Sequence, residues 1–217
     1  MSEYKCSTYI DVCLDKTVEA GAACVRYMVA DVSRLLADDA LLMASLENLS
    51  SARRDKTLAY KHSRGKALSA GAGILLDELL AAHGLCERDM SYIDGEHGKP
   101  AFADYPQLAF NLSHSGSKVA AAISQKLQVG IDIQHDTHYR PEVVHRVFLP
   151  AQVQRLGLAK SEAERQHLFT QMWAEAEAYA KATGEGLKWP FEQPKPEAVF
   201  TPFEVDDYCG CLCTIIE

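Results

Sequence analysis

Residues 4–13 and 22–29 are apolar-rich runs that read as strands, and the apolar spacing then becomes helical over about 38–49 and along a longer stretch through Leu80. Gly84 is placed to stop that second helix. Short strand-like runs follow at 90–93, 108–112, 119–124 and 129–133, separated by Gly, Pro, Ser and Asp, and read as an antiparallel sheet region. A long helical pattern covers 161–183. Ser161 can cap it, Glu162 and Glu164 suit the positive end of its dipole, and Gly184 and Gly186 can close it. Runs at 198–205 and 208–216 predict two last strands. Helices and strands occur in both halves with no Pro/Ser-rich linker, so the pattern predicts an α+β architecture with room for two similar lobes.

Composition narrows the class. With 217 residues, 47% of them hydrophobic and 24% charged, the chain can bury one large core or two small ones. No apolar run is long enough to span a bilayer, and MSEYKCSTYI lacks the basic start and apolar core of a signal peptide. The expectation is a soluble cytoplasmic protein with no membrane partner. Seven cysteines without a framework suit a reducing compartment and free thiols. A net charge of −8 argues against nucleic acid as a partner. Yet 51–66 carries Arg53, Arg54, Lys56, Lys61, Arg64 and Lys66 against the single acid Asp55. That segment is either a solvated helix face or a landing site for a small polyanion.

Four segments carry candidate chemistry. In V-G-I-D-I-Q at 129–134, a strand would turn Val129, Ile131 and Ile133 to one face and Asp132 with Gln134 to the other. A hard cation such as Mg²⁺ takes oxygen ligands of this kind and completes its shell with water and substrate phosphates. An aspartate at a strand end is also a common turn-former, so the metal reading needs a partner. In the long helix, Trp173, Glu177 and Lys181 fall at i, i+4 and i+8, close to one stripe. On a solvated surface such a Glu–Lys pair contributes only ~0.3–0.5 kcal/mol. G-K-P at 98–100 and F-N-L-S-H-S-G at 110–116 sit at strand or loop edges, where ligand contacts gather. Ser113 and His114 are not a hydrolase dyad, because neighbours on an extended strand point to opposite sides.

Taken in order, G-K-P at 98–100, F-N-L-S-H-S at 110–115, V-G-I-D-I-Q at 129–134 and W-A-E-A-E-A-Y-A-K at 173–181 followed by G-E-G-L resemble the Sfp-type 4′-phosphopantetheinyl transferase family. The basic segment before Lys66 and the tail F-E-V-D-D-Y at 203–208 extend the likeness, and only the first fifty residues are undistinctive. The resemblance implies a pseudo-dimeric α+β fold of two similar lobes, an N-terminal lobe at 1–108 and a C-terminal lobe at 109–217 carrying the metal and catalytic motifs. Coenzyme A would lie between the lobes, and an apo acyl-carrier or peptidyl-carrier protein would dock at the mouth. The implied reaction is Mg²⁺-dependent transfer of the 4′-phosphopantetheine arm to a carrier serine, releasing 3′,5′-ADP, by a monomer. By motif position His114 meets the 3′-phosphate, helped by Ser113, Lys99 and upstream residues among Arg53, Arg54 and Lys66. Asp132, Gln134 and Glu177 hold Mg²⁺, Glu177 also takes the serine proton, and Lys181 reaches the diphosphate.

Two positions depart from the pattern. Gln134 stands where many members have Glu, although Gln also occurs there, and Ala176 stands where the helix motif W-x-x-K-E has lysine. Ala176 extends an apolar stripe of Phe169, Met172, Trp173 and Ala180, a packing role. The departure admits a second reading, a non-catalytic module that binds coenzyme A or a carrier protein. A Mg²⁺-dependent diphosphate hydrolase is a third. Cys209, Cys211 and Cys213 would share one strand face, either as a soft-metal set or as ordinary core residues. His135 and His138 have a zinc-like spacing but no second ligand cluster. Whether the pathway is fatty-acid, polyketide or nonribosomal-peptide synthesis is not written in these motifs.

Overall fold

The computed structural model describes residues 6–21, 23–95, 98–135, 139–188, 191 and 193–216. A short 3-10 turn at Cys6–Thr8 leads into β1 (Asp11–Ala20) and β2 (Ala23–Asp31), followed by α1 (Ser33–Ala37), α2 (Asp39–Leu46), α3 (Ser51–Ala59) and α4 (Ser63–Ala81). After a second 3-10 turn at Glu87–Asp89 come β3 (Tyr92–Asp94), β4 (Pro100–Phe102), β5 (Leu108–Ser115), β6 (Lys118–Gln125) and β7 (Gln128–His135). The chain ends with α5 (Pro141–Val147), α6 (Pro150–Gly157), α7 (Glu162–Thr183), β8 (Ala198–Val205) and β9 (Tyr208–Ile215).

Two antiparallel sheets form, in strand orders β1-β2-β6-β5 and β7-β9-β8, beside a small β3–β4 hairpin. The path is traversed twice. In the first half a strand (β2), a helical excursion ending in α4 and a hairpin (β5–β6) give the order β2-β6-β5. In the second half β7, an excursion ending in α7 and the hairpin β8–β9 give β7-β9-β8. The two similar lobes therefore share one topology, with β1 added at the edge of the first. The expected division at 108 falls at the start of β5, whose hydrogen bonds run to β6 in the first sheet. The sheets change over at 126–127, between β6 and β7, and we place the lobe boundary there.

The layers follow from strand alternation. Met28, Ala30, Val119, Ala121, Ile123 and Phe110 face α4 and bury a core with Leu75, Leu76 and Leu79. The opposite face, Val25, Tyr27, Val29, Ala120 and Ala122, packs on Val129, Ile131, Ile133 and Leu212 of the second sheet. Each fully buried aliphatic side chain of this kind contributes roughly 1.5–3 kcal/mol. The far face of the second sheet carries Cys211 and Cys213 against Ala174, Ala178 and Ala182, an i, i+4, i+8 stripe of α7. The order is helix, sheet, sheet, helix.

Most predicted elements are present, with instructive shifts. The first strand starts at Asp11, after the 3-10 turn, so 6–10 are not strand, and residues 4 and 5 lie outside the described set, as does residue 22 of the next. The long helical stretch through Leu80 is two helices, broken where Tyr60 takes an extended conformation (φ −67°, ψ 133°). The runs between 90 and 133 do not make one sheet but contribute to three. α5 and α6, which the apolar spacing did not reveal, each begin with proline at the first helical position, where its missing N–H costs nothing. At α7 the cap is as expected: Ser161 Oγ accepts from Glu164 N at 3.1 Å, and Gly184 closes the helix in the left-handed region at φ 74°. Among the described residues no helix is long and apolar enough to cross a membrane, and no disulfide joins the seven cysteines.

Two local features generate tests. α7 lies so close to β7 that a Cβ on Gly130 would collide with the Ala178 carbonyl and the backbone of Ala182. Gly130→Ala is expected to lower the unfolding free energy by roughly 2–3 kcal/mol, read as a lower urea midpoint at constant m. Gly157→Ala, in open space, should leave the midpoint within error. The second feature is Asp31, which accepts from Ser33 N and Ser117 Oγ at 2.7 Å each and from Lys118 Nζ at 3.0 Å. Burial alone would raise its pKa, but these donors overcome burial and hold it at about 2. A depressed carboxylate stabilises the fold above its unfolded pKa near 4 and loses that contribution as pH falls through about 2. Wild type should therefore exceed Asp31→Asn by about 2 kcal/mol at pH 7, and the gap should close between pH 4 and pH 2 in urea melts.

Candidate functional site

β7 pairs with β9 along one edge, and its other edge faces β5 across the lobe junction. That second edge is met by side chains. Ile131 N donates to Asn111 Oδ1 at 2.9 Å, Ile133 N to Ser113 Oγ at 3.4 Å and His135 N to Ser115 Oγ at 3.0 Å. Alternate residues of N-L-S-H-S thus replace a neighbouring strand, satisfying amides that would otherwise be buried without partners. The motif builds the joint between the lobes as well as a site.

Asp132 lies at the centre of this joint, 1% exposed. Its Oδ1 accepts from Ser113 Oγ at 2.7 Å and from Lys181 Nζ at 2.5 Å, and its Oδ2 from Gln134 Nε2 at 2.8 Å. Lys181 also reaches Ser113 Oγ at 3.0 Å and the Ile131 carbonyl at 3.3 Å. Glu177, one turn earlier on α7, is half-buried; burial first, and then the charge of Asp132, push its pKa up, while Lys181 opposes them. Trp173, on the same stripe, stacks on Phe169 and meets Phe191 edge-on, anchoring the helix. The structure therefore brings Ser113, Asp132, Gln134, Glu177 and Lys181 into one cluster.

Glu177 and Lys181 line a cleft with Lys99, Pro100, Asn111 and Leu187. Pro100 and Asn111 also line a second hollow that holds Arg53, Lys56 and Tyr92, so the two hollows adjoin at these residues and each has cations in its lining. Lys99 is held by the Val129 carbonyl at 3.1 Å, Gln128 Oε1 at 3.2 Å and the Ala182 carbonyl at 2.9 Å. It closes the last turn of α7, and burial lowers its pKa to about 8. His114 has its pKa lowered, first by the partial burial of its ring and then by Lys181.

The upstream cations separate. Arg53 is 7% exposed, its Nε 3.5 Å from Glu87 Oε1 and its guanidinium over the Tyr92 ring. Arg54 turns to the Leu46 carbonyl, in a different hollow beside Met43 and Leu58, away from the cluster. Lys66 is half-buried in the first turn of α4. Arg64, which the sequence did not single out from its basic neighbours, donates from Nη2 to the Gly116 carbonyl at 3.1 Å, beside His114. Only the fold brings the start of α4 to that turn.

The remaining expectations resolve as follows. Gln134 presents its amide nitrogen to Asp132, so it can offer a metal its oxygen only with the amide turned over. Cys209, Cys211 and Cys213 do share one buried face. Burial raises the thiol pKa of Cys211 strongly and that of Cys213 to about 12, which suits core residues. Cys209 differs, with His167 Nδ1 3.4 Å from its sulfur. His135 contacts Asp207 at 2.7 Å, and His138 lies outside the described residues. Ala176 packs on the cluster of Phe169, Met172 and Phe191, the packing role its stripe suggested.

Comparison with known proteins gives the same direction. Residues 128–207, which span β7 to the end of β8, match the 4′-phosphopantetheinyl transferase superfamily. The chain is 28% identical over 145 residues to the 4′-phosphopantetheinyl transferase Sfp of Bacillus subtilis, covering 66% of this chain and 64% of that one. It is 32% identical over 151 residues to the 4′-phosphopantetheinyl transferase HetI of a Nostoc species, covering 67% and 62%. The chain thus spans just under two thirds of these relatives. To the 4′-phosphopantetheinyl transferase AcpT of Salmonella typhimurium it is 35% identical over 151 residues, covering 60% of this chain and 77% of AcpT. With the junction cluster assembled from three of the motifs and Lys99 of the fourth lining the adjoining cleft, the chain belongs to the 4′-phosphopantetheinyl transferase superfamily.

Proposed function

We propose that this protein moves the 4′-phosphopantetheine arm of coenzyme A onto a serine of an apo acyl-carrier or peptidyl-carrier protein, releasing 3′,5′-ADP. The observation that carries this reading is the convergence of Ser113, Asp132, Glu177 and Lys181 at the lobe junction, with Glu177 and Lys181 lining a cleft that adjoins a second cation-lined hollow. The substrate would present a diphosphate and a 3′-phosphate, which accounts for local basicity in a protein of net charge −8. We take it to work as a cytoplasmic monomer, since one chain carries both copies of the repeated path.

The residues suit Mg²⁺. Two carboxylates, Asp132 and Glu177, lie close enough that the charge of one raises the pKa of the other, an excess of negative charge that a hard dication relieves. Asp132 and Glu177 would hold the ion, with Gln134 able to contribute its oxygen. Bound there, Mg²⁺ would neutralise charge on the diphosphate and on the leaving 3′,5′-ADP.

The protein's own groups do the rest. Lys181, anchored on Asp132 and Ser113, holds positive charge at the rim of the cleft, where the diphosphate would lie. His114 and Arg64, which border the turn at Gly116, and Lys66 in the first turn of α4 suit the 3′-phosphate, while Arg53 and Lys56 line the adjoining hollow. The serine oxygen attacks the phosphorus that bears the pantetheine arm, the bond from that phosphorus to the oxygen of 3′,5′-ADP breaks, and the serine proton passes to a carboxylate oxygen of Glu177. A raised pKa makes Glu177 a better base than an ordinary surface glutamate.

Intact-mass analysis of an apo carrier protein incubated with this protein, coenzyme A and Mg²⁺ tests the reading. A gain of one phosphopantetheine arm is expected, abolished by EDTA, and Glu177→Gln should lower kcat/KM by about 10²–10⁴-fold. Unchanged transfer by Glu177→Gln would overturn the assigned role of that residue. Coenzyme A binding by calorimetry without transfer, with transfer appearing in Ala176→Lys, would instead identify a binding module. Release of 3′,5′-ADP with no acceptor present would identify a hydrolase.

A further inference from the structure

One cluster of ligand-bearing side chains lies outside the junction. His167 of α7, Glu204 of β8 and Cys209 of β9 each place one donor atom within 4.8 Å of the others. Glu204 and Cys209 are direct cross-strand partners, and α7 lays His167 across them. The imidazole Nδ1 lies 3.4 Å from Cys209 Sγ, and Nε2 lies 3.1 Å from Glu204 Oε1. Gln171, one turn on along α7, brings its amide nitrogen to 3.0 Å from His167 Nε2 and 3.3 Å from Glu204 Oε1.

We propose that His167, Glu204 and Cys209 form a binding site for a borderline transition-metal dication, with Zn²⁺ the best match. A thiolate, an imidazole and a carboxylate are a donor set that zinc takes and Mg²⁺ does not favour. In a tetrahedral zinc site, bond lengths of about 2.0–2.3 Å put neighbouring donors ~3.3–3.8 Å apart, the range already spanned by sulfur and Nδ1. One ring nitrogen must serve the metal, so the carboxylate has to move from the Nε2 side toward Nδ1. Glu204 has that freedom, with its side chain 59% exposed. It also leaves a path for the ion, because Cys209 is buried at 2% while His167 and Glu204 reach solvent. Coordination displaces the thiol proton to water. The Gln171 amide, turned over, can offer its oxygen as a fourth donor.

The site is separate from Asp132 but not remote in the sheet. Cys209 is the cross-strand partner of Gln134 on its other side, and Gln134 bonds Asp132. An ion at Cys209 would tie the first half of α7 to the β8–β9 hairpin of the second sheet, whose far face α7 covers.

Cobalt substitution of the full-length, EDTA-stripped protein tests the proposal without carrier protein or coenzyme A. Co²⁺ should bind one to one with a near-ultraviolet thiolate charge-transfer band and tetrahedral visible absorption, both removed by added Zn²⁺. Cys209→Ser should abolish the charge-transfer band, whereas Cys13→Ser, at an exposed thiol, should retain it. Since a buried substitution can impair folding, the exposed Glu204→Gln is the second variant: it should weaken Co²⁺ binding at least about tenfold and remove the rise in Tm that Zn²⁺ gives the wild type. Absence of the band in the wild type, its survival in Cys209→Ser, or wild-type affinity in Glu204→Gln would overturn the proposal.

Discussion

The structure turns on a carboxylate buried where two sheets meet. Taking Asp132 out of water costs several kcal/mol unless its charge is matched, and the match comes from three separate segments: Ser113 on β5, Gln134 further along β7 and Lys181 on α7. None of these elements can move far without stranding the charge. The ion pair is therefore as much a constraint on lobe geometry as a source of stability. A buried pair is a weak stabiliser, but losing one member of it is costly, so it selects one arrangement among those that hydrophobic packing alone would permit.

The same economy explains why the recognisable motifs are recognisable. In N-L-S-H-S, Asn111, Ser113 and Ser115 are spaced at two because they serve amides of β7 that are also spaced at two. In V-G-I-D-I-Q, Gly130 lacks a side chain because α7 lies against the backbone there, and that close approach is what lets Lys181 reach Asp132. Lys99 of G-K-P bonds Val129 and Ala182 at the other end of the same contact. Residues that suggest ligand chemistry thus also hold the cleft in shape, so a substitution at any of them disturbs the joint between the lobes as well.

How much could be read in advance follows from which features are local. Strand alternation correctly separated Ile131 and Ile133 from Asp132, and the capping signals at Ser161 and Gly184 fixed α7, because each depends on neighbours in the chain. Where the lobes divide is not a local feature: β5 and β6 return to β2, a pairing that no local pattern encodes. α5 and α6 went unread because helices of 7 and 8 residues are too short to show a clear period, although each opens on a proline. Arg64 could not be told from Arg54 by sequence, yet one faces the Gly116 turn and the other the Leu46 carbonyl, a difference of helix and direction.

Cys209 shows how a shared strand face can hide a chemical difference. Cys211 and Cys213 lie under the alanine stripe of α7, where burial keeps their thiols protonated and apolar packing is all they supply. Two residues earlier on the same face, the stripe has given way to His167 and the registered partner is Glu204 rather than an apolar side chain. What separates a core cysteine from a ligand is the helix residue above it, and a helix crossing a sheet changes that residue with every turn. The soft donors gather beyond the start of the alanine stripe, and the hard oxygen donors of Asp132 and Glu177 gather beside its middle. One helix thus carries two donor sets of different character, set apart along its axis by its rise per turn.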